Sequence, residues 1–145
     1  MLGRMFKLAK IEGSPVSKYM TAEPITFFED EALSEIMLLF DPKVFSHLPI
    51  VNRQQELVGI ISHKDLFNLH QLLGPGTDTG LEARKKTIQD IMSRDLATVA
   101  PVDKLSYAIS LMVEKHVNAL PVLNESSLVG IITSTDILRA YANRK

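Results

Sequence analysis

Apolar positions along this chain recur with two periods, and the same succession of periods occurs twice. Leu33, Ile36, Met37 and Phe40 stand at i, i+3, i+4 and i+7, which predicts a helix with one apolar stripe. Leu105, Ala108, Ile109 and Met112 repeat that stripe 72 residues later. Brief extended pieces, 25–27 and 97–99, precede the two stripes. After each stripe come two short apolar runs, 48–51 and 57–61 in the first copy, 120–123 and 128–132 in the second. The polar stretches 52–56 and 124–127 separate them, so each pair reads as two buried strands of a hairpin. Pro49 and Pro121 sit at the start of a strand, one of the few places where a missing N–H is harmless. A second helix, over 64–72 and over 135–143, closes each copy.

The duplication extends to individual residues. Met20-Thr21 is answered by Met92-Ser93, Leu48-Pro49 by Leu120-Pro121, and the run from Val58 to Leu66 by the run from Val129 to Ile137. The offset is 72 at the methionines and prolines and 71 at Gly59 and Gly130, so one residue is lost in the polar turn between the strands. A single copy would leave one helix face and one sheet face uncovered. Two copies packed sheet to sheet about a pseudo-twofold axis bury both. The expected fold is therefore α/β (α+β), two β-α-β-β-α repeats forming one integral domain. Residues 1–14 are an N-terminal extension, 15–72 the first repeat, 73–86 a linker rich in glycine, and 87–145 the second repeat.

Composition narrows the function classes. With 145 residues, 46% apolar and 23% charged, the chain can bury a core like an ordinary globular protein. A formal net charge of −1 offers no basic footprint for nucleic acid. The absence of cysteine removes disulfides, thiolate metal sites and thiol nucleophiles together. The longest apolar run, 36–40, is far below the roughly 20 residues of a membrane span, so the expectation is a cytoplasmic protein with no membrane partner. Arg4, Lys7 and Lys10 interrupt the apolar start, which reads as an extension packing on the domain or on a second subunit. The histidines His47, His63, His70 and His116 lack metal-ligand spacing.

The candidate chemistry lies in Gly59-x-x-Ser62-x-x-Asp65 and Gly130-x-x-Thr133-x-x-Asp136, each at a strand-to-helix junction. Two readings are open. Ser62 with Asp65, and Thr133 with Asp136, have the spacing of capping boxes that satisfy free N–H groups of a first helical turn. The same junction presents a positive helix end to a phosphate, and an ionised aspartate can accept from both hydroxyls of a ribose. Glycine would allow close approach of the backbone.

The order Met-Ser/Thr, extended piece, amphipathic helix, Leu-Pro strand, then Gly-x-x-Ser/Thr-x-x-Asp resembles a cystathionine-β-synthase (CBS) domain. The two copies together, over about 16–143, resemble a CBS pair, also called a Bateman module. The resemblance implies clefts between repeats that bind adenosine-containing ligands: AMP, ADP, ATP or S-adenosylmethionine. Carried over, one site would use Ser62 and Asp65 for phosphate and ribose, with Met92, Ala97, Asn118 and Ala119 near the base. The other would use Thr133 and Asp136, with Met20, Ile25, Ser46 and His47 near the base. His47 stands where the second copy has Ala119, so the sites have diverged, and its imidazole would make binding pH-sensitive. Asp41-Pro42 breaks the symmetry with Val113-Glu114 and should end the first helix. Lys64 could help bind a triphosphate. No nucleophile, base or metal constellation points to catalysis. The expectation is a non-catalytic regulatory module without a catalytic cofactor, a homodimer that reports ligand status to a regulated protein. A ligand-free structural or dimerisation module is the alternative.

Overall fold

The computed structural model describes residues 2–39, 46–73, 81 and 85–143. The elements are α1 (Leu2–Gly13), β1 (Thr21–Ala22), β2 (Phe27–Phe28), α2 (Leu33–Leu39), β3 (His47–Val51), β4 (Leu57–Ser62), α3 (His63–Leu73), α4 (Leu105–Lys115), β5 (Ala119–Asn124), β6 (Ser127–Thr133) and α5 (Ser134–Ala142), with single 3-10 turns at Val16–Lys18 and Ile88–Asp90. The second predicted stripe, both hairpins and both closing helices are present, and so is the first stripe over Leu33, Ile36 and Met37, while Phe40 lies outside the described residues. The fold is mixed α/β with two three-stranded sheets. Asp41-Pro42 and most of the glycine-rich linker lie outside the described residues.

The chain divides into two compact units that do not coincide with the sequence repeats. Residues 1–24 and 97–145 form one, and 25–96 form the other. The discontinuous unit has strand order β1-β6-β5. Thr21 lies opposite Ile131 and Ala22 opposite Gly130 in antiparallel register, so the opening segment of the first repeat completes the hairpin of the second. In the contiguous unit the order is β2-β3-β4, with β2 parallel to β3. There the outer edge of β4 is met by Ser93 from the second repeat, whose N–H donates to the Ile60 carbonyl at 2.9 Å while Ile60 returns a bond at 3.0 Å. The exchange of opening segments is thus reciprocal.

Burial follows the predicted periods. In the discontinuous unit Val16, Leu105, Ala108, Leu120, Val122 and Ile132 are fully buried, joining the α4 stripe to the inward faces of β5 and β6. In the contiguous unit Ile36, Ile50, Ile61 and Ile88 do the same. Each of these valine, leucine and isoleucine side chains contributes about 1.5–3 kcal/mol relative to exposure. Helix α4 ends where His116 adopts a left-handed conformation (φ 54°, ψ 43°) and its N–H bonds back to the Met112 carbonyl. That turn delivers Asn118 to the start of β5.

Helix α1 belongs to the discontinuous unit and packs on α4 and α5. Ile11 is its buried anchor, and Ser14 Oγ donates to the Lys10 carbonyl at 2.7 Å to close the last turn. The chain then runs back along the α4 start, where Leu105 N–H donates to Ser14 O at 2.8 Å. Among the described residues no helix is long and apolar enough to cross a membrane.

Candidate functional site

Each Gly-x-x-Ser/Thr-x-x-Asp element occupies the junction between the second strand of a hairpin and the helix that follows it. In the discontinuous unit Thr133 is extended (φ −114°, ψ 162°) and caps α5. Its N–H and its hydroxyl both donate to Asp136 Oδ2, at 2.9 and 3.0 Å, and its Oγ1 accepts from the Asp136 N–H at 3.2 Å. In the contiguous unit Ser62 and Asp65 make the same three bonds at 2.8, 3.0 and 3.3 Å. The capping reading is therefore correct at both positions. It does not exhaust the carboxylates, because every bond falls on Oδ2, and among the described residues Oδ1 of Asp65 and of Asp136 has no hydrogen-bond partner. Both side chains are half-buried, so these oxygens can serve as acceptors for a ligand.

The glycines have a different task from the one expected. A Cβ on Gly130 would meet Met20 Sδ at 2.5 Å and the Thr21 carbonyl at 3.0 Å. A Cβ on Gly59 would collide with Met92 Sδ and meet Met92 Cγ at 2.8 Å. The close approach that glycine permits is thus that of the methionine in the exchanged segment. Met-Thr/Ser and Gly-x-x-Ser/Thr recur together in sequence because they touch in space.

Within the contiguous unit the structure brings Ser62 and Asp65 together with Ser46, His47 and Met92. His47 lies opposite Ser62 across the β3–β4 pair, and His63 N–H donates to the Ser46 carbonyl at 3.1 Å. Within the discontinuous unit it brings Thr133 and Asp136 together with Asn118, Ala119 and Met20. Ala119 lies opposite Thr133, and Ser134 N–H donates to the Asn118 carbonyl at 2.9 Å. Ala97 packs against the core of the discontinuous unit, while Ile25 opens the contiguous unit and is 51% exposed. Lys64 is exposed in the first turn of α3.

The two clusters differ in their electrostatics. Burial pushes the His47 imidazole below its ordinary pKa, while the nearby Asp65 carboxylate pulls the other way and only partly compensates. Its Nδ1 is 2.9 Å from Ser46 Oγ. Ala119 brings no ionisable group to the corresponding place in the other unit.

A third capping box escaped the sequence reading. Thr87 N–H donates to Asp90 Oδ2 at 2.8 Å and the Thr87 hydroxyl donates to it at 3.2 Å, over the short turn Ile88–Asp90. It has the Thr-x-x-Asp spacing but no preceding Gly-bearing strand.

A second feature was equally hidden. A cavity of about 560 Å³ in the discontinuous unit is lined by Lys7, Lys10, Ile11, Lys18, Tyr19, Asp136, Arg139, Ala140 and Asn143. Its basic residues come from α1, the first 3-10 turn and α5. The spacings of Lys7 and Lys10, and of Asp136 and Arg139, are visible in sequence, but their convergence requires α1 to pack on α5. A separate apolar groove of about 580 Å³ runs between α4 and α5, with Val113 70% and Leu138 68% exposed beside it.

Comparison with known proteins agrees with this organisation. The CBS domain family model matches residues 16–71 and 88–143. The uncharacterized protein MJ1426 of Methanocaldococcus jannaschii is 29% identical over 85% of this chain and 89% of its own length. The inosine-5'-monophosphate dehydrogenase of the same organism is 30% identical over 79% of this chain, which spans only 21% of that enzyme. Among solved structures, the CBS domain pair of protein MJ0100, in complex with 5-methylthioadenosine and S-adenosyl-L-methionine, superposes with a TM-score of 0.74 at 28% identity, covering 91% of this chain and 98% of that one.

Proposed function

The chain belongs to the CBS domain family, and from that premise we propose that it is a non-catalytic regulatory module that binds adenosine-containing ligands. The observation that carries the proposal is the pair of matched boxes at Ser62–Asp65 and Thr133–Asp136, each with one carboxylate oxygen left to accept. Ribose hydroxyls suit that oxygen, and the first-turn N–H groups and hydroxyl suit a phosphate or carboxylate. The complex of the MJ0100 CBS pair with two adenosine derivatives supports the ligand class. Met20 and Met92, seated on Gly130 and Gly59, place polarisable sulfur beside each box, and the remaining candidates, Ala97, Asn118, Ala119, Ile25, Ser46 and His47, surround the base in this reading.

Calorimetry against AMP, ADP, ATP, 5-methylthioadenosine and S-adenosylmethionine tests the proposal. At about 100 times Kd, binding should stabilise the native state by ~2.7 kcal/mol. D65A and D136A should each remove one site; unchanged affinity in both variants would refute the residue assignment. No stabilisation by any of the five ligands would favour the second reading, a ligand-free interaction module, which the purely structural Thr87–Asp90 box supports.

Two copies of the chain meeting through the apolar groove between α4 and α5 would bury Val113 and Leu138, and this supports a homodimer. Ligand binding would then reach a regulated protein through a change in the relative stability of two conformations.

A further inference from the structure

Helix α1 packs on its unit by one side and leaves the other to solvent. Leu2 and Ile11 are nine residues apart, two and a half turns at about 3.6 residues per turn, so their side chains leave the helix in opposite directions. Ile11 is buried, whereas Leu2, Met5 and Phe6 are 72%, 65% and 73% exposed. These three, with exposed Ala9, stand at i, i+3, i+4 and i+7, one apolar strip that no described residue covers.

The charges beside the strip decide what kind of surface suits it. Arg4, Lys7 and Lys10 follow one another at intervals of three, a row that steps round the helix from the packed side to the edge of the strip. All three are exposed, and among the described residues none of them stands in an ion pair. Glu12, the one carboxylate of α1, lies on the other flank and accepts from the Tyr141 hydroxyl at 3.5 Å. The helix thus carries a net +2 in a chain whose formal charge is −1, which leaves −3 for all the rest. Lys18 and Arg139 line the same cavity as Lys7 and Lys10 and extend the positive side beyond the helix. A second copy seated on the strip would set +2 against +2. An anionic bilayer offers both complements at once, an apolar layer for the strip and negative headgroups for the cations.

We propose that α1 docks this protein on the surface of an anionic lipid bilayer. Leu2, Met5 and Phe6 enter the boundary between headgroups and acyl chains, and Arg4, Lys7 and Lys10 hold the phosphates around them. At 12 residues, and about 18 Å at ~1.5 Å per residue, α1 is too short to cross a hydrocarbon core of roughly 30 Å and lies in the plane of the surface. The expectation of no membrane partner rested on the want of a spanning run, which a helix lying on the surface does not need. Helix α1 lies outside both segments matched by the family model, and neither capping box takes part, so docking is independent of the nucleoside reading.

The test is flotation of the full chain with vesicles of phosphatidylcholine alone and of phosphatidylcholine with an equal amount of phosphatidylglycerol, for the natural protein, M5S/F6S and K7Q/K10Q. The natural protein should partition onto the anionic vesicles at least about tenfold more strongly than onto the neutral ones, and added salt should weaken it. Each double variant should lose about tenfold on the anionic vesicles. All four positions are exposed, so unchanged melting curves should accompany the loss. The chain has no tryptophan, so F6W adds a single emitter whose fluorescence should move to the blue with anionic vesicles. Failure of the natural protein to float with anionic vesicles would overturn the proposal and leave the strip to a protein partner. Binding that M5S/F6S retains in full, or F6W emission that the vesicles leave unchanged, would overturn it as adsorption of charge alone. A dimer that M5S/F6S converts to monomer in the ultracentrifuge, without vesicle binding, would overturn it in favour of contact between copies.

Discussion

Replacing Gly130 by alanine tests the contact that joins the exchanged segment to the hairpin it completes. The new methyl group would lie 2.5 Å from Met20 Sδ, 3.1 Å from Met20 Cγ and 3.0 Å from the Thr21 carbonyl. The sulfur sits on a flexible side chain and can retreat, but the carbonyl is fixed by the β1–β6 pairing. G130A should therefore cost about 1–3 kcal/mol, the usual range for overpacking. M20A should cost about 2 kcal/mol, the low end of the range for a methionine truncated to alanine, because Met20 is only half-buried. If the methyl group and the methionine compete for one space, the double variant M20A/G130A will be less destabilised than the sum of the two by about 1 kcal/mol. The carbonyl contact accounts for what remains. Urea unfolding followed by far-UV circular dichroism is the assay, since the chain has no tryptophan. Thermal melts should shift by about 4 °C per ~1 kcal/mol at this size. G13A provides a control, because nothing lies within 4 Å of a Cβ added at Gly13. Additivity of the two single variants within ~0.4 kcal/mol would refute the shared-space argument.

Three further outcomes are expected. T87A and T133A should each lose about 1 kcal/mol of stability as broken caps, yet only T133A should weaken adenosine-ligand binding; equal binding losses would show that the boxes do not differ in function. Because burial lowers the His47 pKa, the folded state holds its proton less tightly than the unfolded chain, whose imidazole titrates near ~6.5. Stability from this residue is therefore intact above that value and declines as pH falls through it. H47Q should flatten the decline in denaturant midpoints between about pH 7 and 5, and an unchanged slope would remove His47 as its source. V113E/L138E should yield a monomer by analytical ultracentrifugation with its fold intact, whereas an undiminished dimer would place the interface elsewhere.

Much of the fold was legible because its driving force is periodic. Leu33, Ile36 and Met37 declare a helix, and the apolar runs on either side of Asn52 to Glu56 declare a hairpin, whichever partner eventually covers them. The Ser62–Asp65 and Thr133–Asp136 boxes were legible because capping depends on residues three apart. The exchange of Met20 and Met92 was not, since no local rule says which hairpin an opening segment will join. Gly130 looked like room for a ligand because sequence shows the missing side chain and not the atom that fills its place. The four cations of the basic cavity were equally silent. Lys10 and Arg139 are 129 residues apart and meet only through the packing of α1 on α5.

The reciprocal exchange also orders events during synthesis. Residues 25–96 are contiguous and contain every strand and turn of their unit, so that unit can close as soon as Leu96 has emerged from the ribosome. The other unit cannot. Its helix α1 and strand β1 are made first, but the β6 edge that pairs with Thr21 and Ala22 is synthesised more than 100 residues later. Until then Ile11 and Val16, buried in the completed unit, travel on a segment with no sheet to join, and that interval is when they are most available to chaperones or to other nascent chains. A segment made early is thus among the last to find its place.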